Sequence, residues 1–163
     1  MAVDYYLKLD GIKGESTNAN YKEAIDIESF SWGLSNSGRA IGSAAGGGGA
    51  GKVTFQDIHF TSSASKASPQ LMLSCAQGKH IPSGTLTGVL NGKSQLDFFT
   101  IKLTNVYVSS YQTGGSGGGD AVPEDSFTLN FAKVEYDYKP QSDTGALLDA
   151  VPAVWDLQAG KIA

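Results

Sequence analysis

Apolar and polar residues alternate with a period of two along most of the chain, the pattern of strands with one buried face. Val3, Tyr5, Leu7 and Leu9 alternate with Asp4, Tyr6, Lys8 and Asp10, which predicts an opening strand that stops at Gly11. Residues 13–22 have no apolar period and many turn formers, so they read as a loop. From 24 to 35 the pattern predicts one strand with unlike faces. Phe30, Trp32 and Leu34 form a packed side, and Ser29, Ser31, Gly33 and Ser35 a small polar one. Val53-Thr54-Phe55-Gln56-Asp57-Ile58-His59-Phe60, rich in β-branched and aromatic residues, predicts a further strand over 52–61.

The period then changes. Ser68-Pro69 before Gln70-Leu71-Met72-Leu73-Ser74-Cys75-Ala76-Gln77-Gly78 predicts a short helix, with Ser68 as the cap, Pro69 in the first turn and Gly78 as a left-handed terminator beside Lys79 and His80. Asn91-Gly92 between apolar runs predicts a type I′ hairpin. The return strand, 95–111, carries its apolar phase through Phe99, Ile101 and Leu103 and then shifts to Val106 and Val108. The same shift separates Phe127, Leu129 and Phe131 from Val134, Tyr136 and Tyr138. Two long bent strands predict a mainly β fold: a closed or nearly closed β-barrel of two packed sheets with one short helix. A last short strand is expected over 153–157, and nothing divides residues 1–163 into more than one domain.

Composition adds two loops to this picture. Ten of the 21 glycines cluster at 46–51 and 114–119, the first run lying in a long glycine-rich projecting loop. Gly46, Gly47, Gly48, Gly49, Ala50, Gly51 and Lys52 satisfy the spacing of a phosphate-binding loop, but Val53 stands where a magnesium-binding hydroxyl is needed and a strand follows where a helix must. The dinucleotide spacing at Gly46, Gly48 and Gly51 fails for the same reason. A net charge of −4 offers no field for nucleic acid or anionic lipid. The single Cys75 reads as a small buried hydrophobe, and no apolar run is long enough for a membrane span. The first residues lack a basic segment followed by an apolar one, so no Sec signal peptide is expected and the protein is expected to fold in the cytoplasm.

No enzyme motif emerges. His59 and His80 sit in no metal-binding spacing, Gly114-Gly115-Ser116-Gly117-Gly118 lacks the strand–turn–helix frame of a nucleophile elbow, and Asp120, Glu124 and Asp125 read as solvated loop acids. No catalytic residue, cofactor or metal is expected.

Motifs in order along nearly the whole chain resemble the Hcp family, the haemolysin-coregulated tube protein of bacterial type VI secretion. They include Lys13-Gly14-Glu15-Ser16, Ser31-Trp32-Gly33, Gly51-Lys52-Val53, Ser68-Pro69-Gln70-Leu71, Gly78-Lys79-His80, Val108-Ser109-Ser110, Leu129-Asn130-Phe131-Ala132, Tyr138-Lys139-Pro140-Gln141 and Trp155-Asp156. Residues 39–45 and 142–154 match no motif of that family. The resemblance implies homohexameric rings that stack into a tube inside a contractile sheath and baseplate, with a spike at the tip, effector cargo in the lumen, and export without a signal peptide.

The residue pattern suggests how such a tube would work. Ser29, Ser31, Gly33 and Ser35 would supply a small, non-adhesive lumen wall, and the run from Gly46 to Lys52 a ring-stacking arm whose glycines allow close approach. Ordinary solvent exposure on a monomer would give the same alternation. The competing class is a small-molecule-binding barrel of lipocalin type, which needs an apolar cavity.

Overall fold

The computed structural model describes residues 2–37 and 53–162. Its elements run β1 (Ala2–Leu9), β2 (Ile25–Ile27), β3 (Ser29–Ser31), β4 (Leu34–Asn36), β5 (Val53–Phe55), β6 (Ile58–Ser63), α1 (Ala67–Gln77), β7 (Ile81–Asn91), β8 (Leu96–Gly114), β9 (Glu124–Tyr138), β10 (Val151–Asp156) and β11 (Lys161–Ile162). The fold is mainly β, with one helix and two sheets among the described residues. The larger sheet follows the order β11-β10-β9-β8-β7-β1-β2, with β6 joined to β9 and β3 to β6; β4 and β5 form the second sheet. All of these pairings are antiparallel.

One edge of β9 is shared: residues 124–129 pair with β6 and residues 133–138 with β10, while β8 lies along the other edge. The change of partner falls at the phase shift. In β8, Leu103 and Val106 are both buried, and opposite them Val134 and Phe131 are buried too, so each strand spends two residues between inward positions at the same level. The residue responsible in β8 is Asn105, at φ 55°, a left-handed conformation that Asn tolerates better than most residues. The only register slip between the two strands lies further on, between Val108 and Ser110.

The core gathers on one side of the curved sheet around Phe60, Phe127, Leu7, Ile58, Leu86, Ile101, Leu103 and Leu129, with Leu71 of α1 closing it. The 13–22 loop adds to the packing: Tyr21 is buried and stacks on Tyr6 with ring centroids 4.8 Å apart.

Several sequence expectations are corrected. The strand at 24–35 is three short pieces, interrupted at Glu28 and at Trp32-Gly33, and Leu34 is 54% exposed because alternation does not carry across the second break. The strand at 52–61 is likewise split, at Gln56-Asp57. Ser68 lies inside α1, preceded by Lys66, which gives no side-chain cap; instead the Ser65 hydroxyl accepts from Ala67 N–H at 3.2 Å. Gly78 does terminate the helix, at φ 60°. Cys75 is half-buried. Asn91 remains in β7 opposite Ala2, and Leu90 pairs with Leu96, so the hairpin loop is longer than a two-residue type I′ turn. The last strand is longer than expected and is followed by β11. The hydrogen-bonded path of the large sheet is open, from β11 to β2, and does not describe a closed barrel.

Candidate functional site

Directly opposed residues in adjacent antiparallel strands project to the same face. Across β3, β6, β9 and β8 two polar rows follow: Ser31, His59, Thr128, Ser110, and Ser29, Thr61, Ser126, Gln112. Between them, on the opposite face, runs the row Phe30, Phe60, Phe127, Tyr111. Phe60 and Phe127 are fully buried and stacked 5.3 Å apart, and such aromatics contribute roughly 1.5–3 kcal/mol each through burial. The alternation thus fixes four strands in one register, with small polar groups outward.

These outward groups bond mainly to each other. Ser29 Oγ and Thr61 Oγ1 lie 2.5 Å apart, Thr128 Oγ1 lies 2.7 Å from Ser109 Oγ and 2.5 Å from Ser110 Oγ, and His59 Nε2 is 2.6 Å from Ser126 Oγ. Ser63 donates to Glu28 at 2.6 Å. Asp57 accepts from Ser109 Oγ at 2.7 Å and from Asn130 Nδ2 at 2.9 Å, tying the start of β6 to β8 and β9. Hydroxyls paired with their neighbours leave this surface polar with few free donors.

Behind this face, Asp125 is 1% exposed and fastens the helix to the sheet. It accepts from Ser68 Oγ in the first turn of α1 and from Tyr111 OH at 3.0 Å. Burial, then the Asp125 carboxylate, pushes the Tyr111 phenol above its ordinary pKa, so the O–H donor persists through neutral pH.

The structure brings Ser29 and Ser31 together and adds partners that the sequence pattern does not single out: His59, Thr61, Ser126, Thr128, Ser109, Ser110, Asp57 and Asn130. Gly33 lies in the break after β3, where its carbonyl accepts from Gln56 N–H at 3.0 Å. Ser35 belongs to the separate two-stranded sheet, opposite Thr54. The segment from Gly46 to Lys52 lies outside the described residues; the residues that follow, Val53–Phe55, are a strand, as the argument against a nucleotide loop requires. His80 bonds Asn105 Oδ1 at 2.8 Å, and among the described residues no three His, Cys, Asp or Glu side chains gather as a metal site. No helix is long and apolar enough to cross a membrane among the described residues. Asp120 lies in the exposed glycine-rich loop, as expected, whereas Asp125 is the buried clamp just described.

A second feature lies beyond the aromatic row. Between the β4–β5 hairpin and β9–β10–β11 opens an apolar cleft of about 750 Å³, lined by Trp32, Leu34, Phe55, Tyr136, Trp155 and Ile162 among others. Trp32 stacks on Phe55 and on Tyr136, each with centroids 6.3 Å apart, but its Nε1 is buried with no hydrogen-bond partner among the described residues.

The chain matches, over residues 6–138, the family described as "Type VI secretion system effector, Hcp". It is 47% identical to protein Hcp1 of Pseudomonas aeruginosa over 147 residues, covering 90% of this chain and 89% of that protein. Among solved structures it superposes on one described as a type six secretion system protein with a TM-score of 0.89 at 31% identity, covering 98% of this chain and 99% of the other. It superposes on Hcp1 from Salmonella typhimurium with a TM-score of 0.78 at 28% identity over the full length of both chains. With its mainly β fold and a family match spanning β1 to β9, the chain belongs to the Hcp family of the type VI secretion system.

Proposed function

We propose that this chain is the tube subunit of a type VI secretion system: it closes into a homohexameric ring, rings stack into an inner tube, and the face carried by β3, β6, β9 and β8 lines the bore. The observation that carries this reading is the pair of polar rows, Ser31-His59-Thr128-Ser110 and Ser29-Thr61-Ser126-Gln112, continuous across four strands and largely self-satisfied. A wall over which varied effector proteins must pass serves best when it is polar, small and without unmet hydrogen bonds, since unmet groups would hold the cargo. The spike, the contractile sheath and the baseplate are the further partners, and the segment from Gly46 to Lys52 is the contact between stacked rings. The subunit is made in the cytoplasm and leaves through the type VI apparatus.

A nearly closed barrel is the shape this reading needs. It is supported by β2 pairing with β1 while β3, one residue further along, pairs with β6, and by Glu28 N–H donating to Thr61 O at 2.9 Å. The outer edge of the large sheet is thereby brought round toward β9. Ring closure requires a heterologous contact repeated by a fixed rotation.

The apolar cleft favours a second reading, a binding barrel for a small hydrophobic molecule, because its volume lies in the range of ligand pockets. Native mass spectrometry with negative-stain imaging separates the two: six subunits with a central pore support the tube, and a monomer at tens of micromolar, where a weak micromolar association of about −8 kcal/mol would already assemble, overturns it.

A further inference from the structure

The polar face has a sign as well as a texture. The strand segments that form it, residues 29–31, 58–63, 107–114 and 124–130, contain no Lys or Arg, whereas Glu28, Asp57 and Glu124 border or occupy it. Asp57 is held from both sides by neutral donors, Ser109 Oγ on Oδ2 and Asn130 Nδ2 on Oδ1, so its carboxylate is oriented without a countercharge among the described residues. The one salt bridge among the described residues, Lys13 to Glu23, is elsewhere. Two residues along the chain stands His59, the one aromatic ring in the two polar rows. Its cross-strand neighbours are Ser31 and Thr128, whose side chains are too short to cover an imidazole, and its Nε2 is anchored to Ser126 Oγ at 2.6 Å.

We infer that Asp57 and His59 together form a subsite for an arginine side chain presented by a protein carried in the ring. A guanidinium is planar and forked: it lies flat on an aromatic ring and at the same time offers paired N–H groups to a carboxylate, which an ammonium cannot do. The fixed carboxylate supplies attraction to any cation, and the ring supplies the preference for arginine. The inference rests on the lumen reading above and gives it a cargo chemistry: basic, arginine-bearing surfaces are retained, and polyanions gain no attraction from wall strands that carry no Lys or Arg. It also assigns Ser31 a role through its neighbour, since a long side chain at 31 would lie over the His59 ring.

The test is fluorescence anisotropy of labelled hexa-arginine and hexa-lysine peptides with the purified protein at low salt. Hexa-arginine is expected to bind at least about threefold tighter than hexa-lysine, the scale of one exposed cation–aromatic contact. Asp57→Asn should weaken both peptides. His59→Ala should abolish the difference between them and leave hexa-lysine binding unchanged, and His59→Gln, which keeps a partner for Ser126 but loses the ring, should do the same if the alanine variant folds poorly. Equal affinities for the two peptides, a preference for arginine that survives both His59 variants, or no binding of either peptide overturns the subsite. Native mass of the same preparation keeps the two readings apart: a hexamer without the arginine preference overturns the subsite alone, and a monomer overturns the ring whatever the peptides do.

Discussion

The two halves of β9 follow the same alternation and end in different surroundings. Along residues 124–129 the inward Phe127 and Leu129 are fully buried and the outward Ser126 and Thr128 belong to the bonded polar face. Along residues 133–138 the inward Tyr136 is only half-buried and lines an apolar cleft with Trp32 and Trp155. The first half has β6 on its edge and the second has β10, and the inner face of the second half shares the cleft with residues of the separate two-stranded sheet. A periodic pattern therefore states which side of a strand is apolar, but how tightly that side is filled depends on elements the pattern does not name.

The largest expected effect tests the closed half. Phe127→Ala should destabilise the subunit by about 3–5 kcal/mol in chemical denaturation, the cost of emptying a fully packed aromatic site. Trp32→Ala, in the open half, should cost less, about 1.5–3 kcal/mol, because the indole is already half-exposed. An equal loss at both positions would erase the distinction between the halves. Trp32→Phe sharpens it: removing the unpartnered buried N–H offsets part of the lost contact, so the change should stay below about 1 kcal/mol.

Asp26 in β2 offers a smaller effect with a definite sign. Although Asp26 is largely exposed, partial desolvation raises its carboxyl pKa, the Ser16 hydroxyl opposes this and the nearby Asp4 charge adds to it. A folded-state pKa above the unfolded one means that protonation favours the folded state, so the ionised group weakens the fold at neutral pH and that penalty fades as pH falls through the raised value. Asp26→Asn is accordingly expected to raise Tm slightly at pH 7 and to leave it unchanged at pH 3. Smallest of all, Ser31→Gln should shift stability by no more than about 0.5 kcal/mol, as substitutions on a solvated face do. A large loss there, with Phe30→Ala harmless, would reverse the two faces of β3.

Much of this architecture was legible. The long strands β8 and β9, their matched phase shift and the helix terminator at Gly78 all follow from local pattern, and motifs in order along the chain carried the family. Two things were not legible, for different reasons. The sequence shows the polar face only along Ser29, Ser31, Gly33 and Ser35, because which strands lie beside it is decided by pairing between residues far apart in sequence; the signal is nonetheless present in Ser126, Thr128 and Asn130 alternating with Phe127, Leu129 and Phe131. Alternation puts Leu34 on the packed side only if the strand runs unbroken from Trp32, and the break at Gly33 releases it from that alternation. Asn105 is not legible as the cause of the bend, since a left-handed residue inside a strand leaves no apolar signature.

The central claim is that the face made by β3, β6, β9 and β8 lines the bore of a six-subunit ring. A cryo-electron microscopy reconstruction of the purified assembly tests it most directly. The account predicts Ser31, His59 and Thr128 at the inner radius of a six-fold ring, with the Phe30, Phe60 and Phe127 row behind them; those polar side chains at the outer rim or in a subunit contact, or particles with no ring, would contradict it.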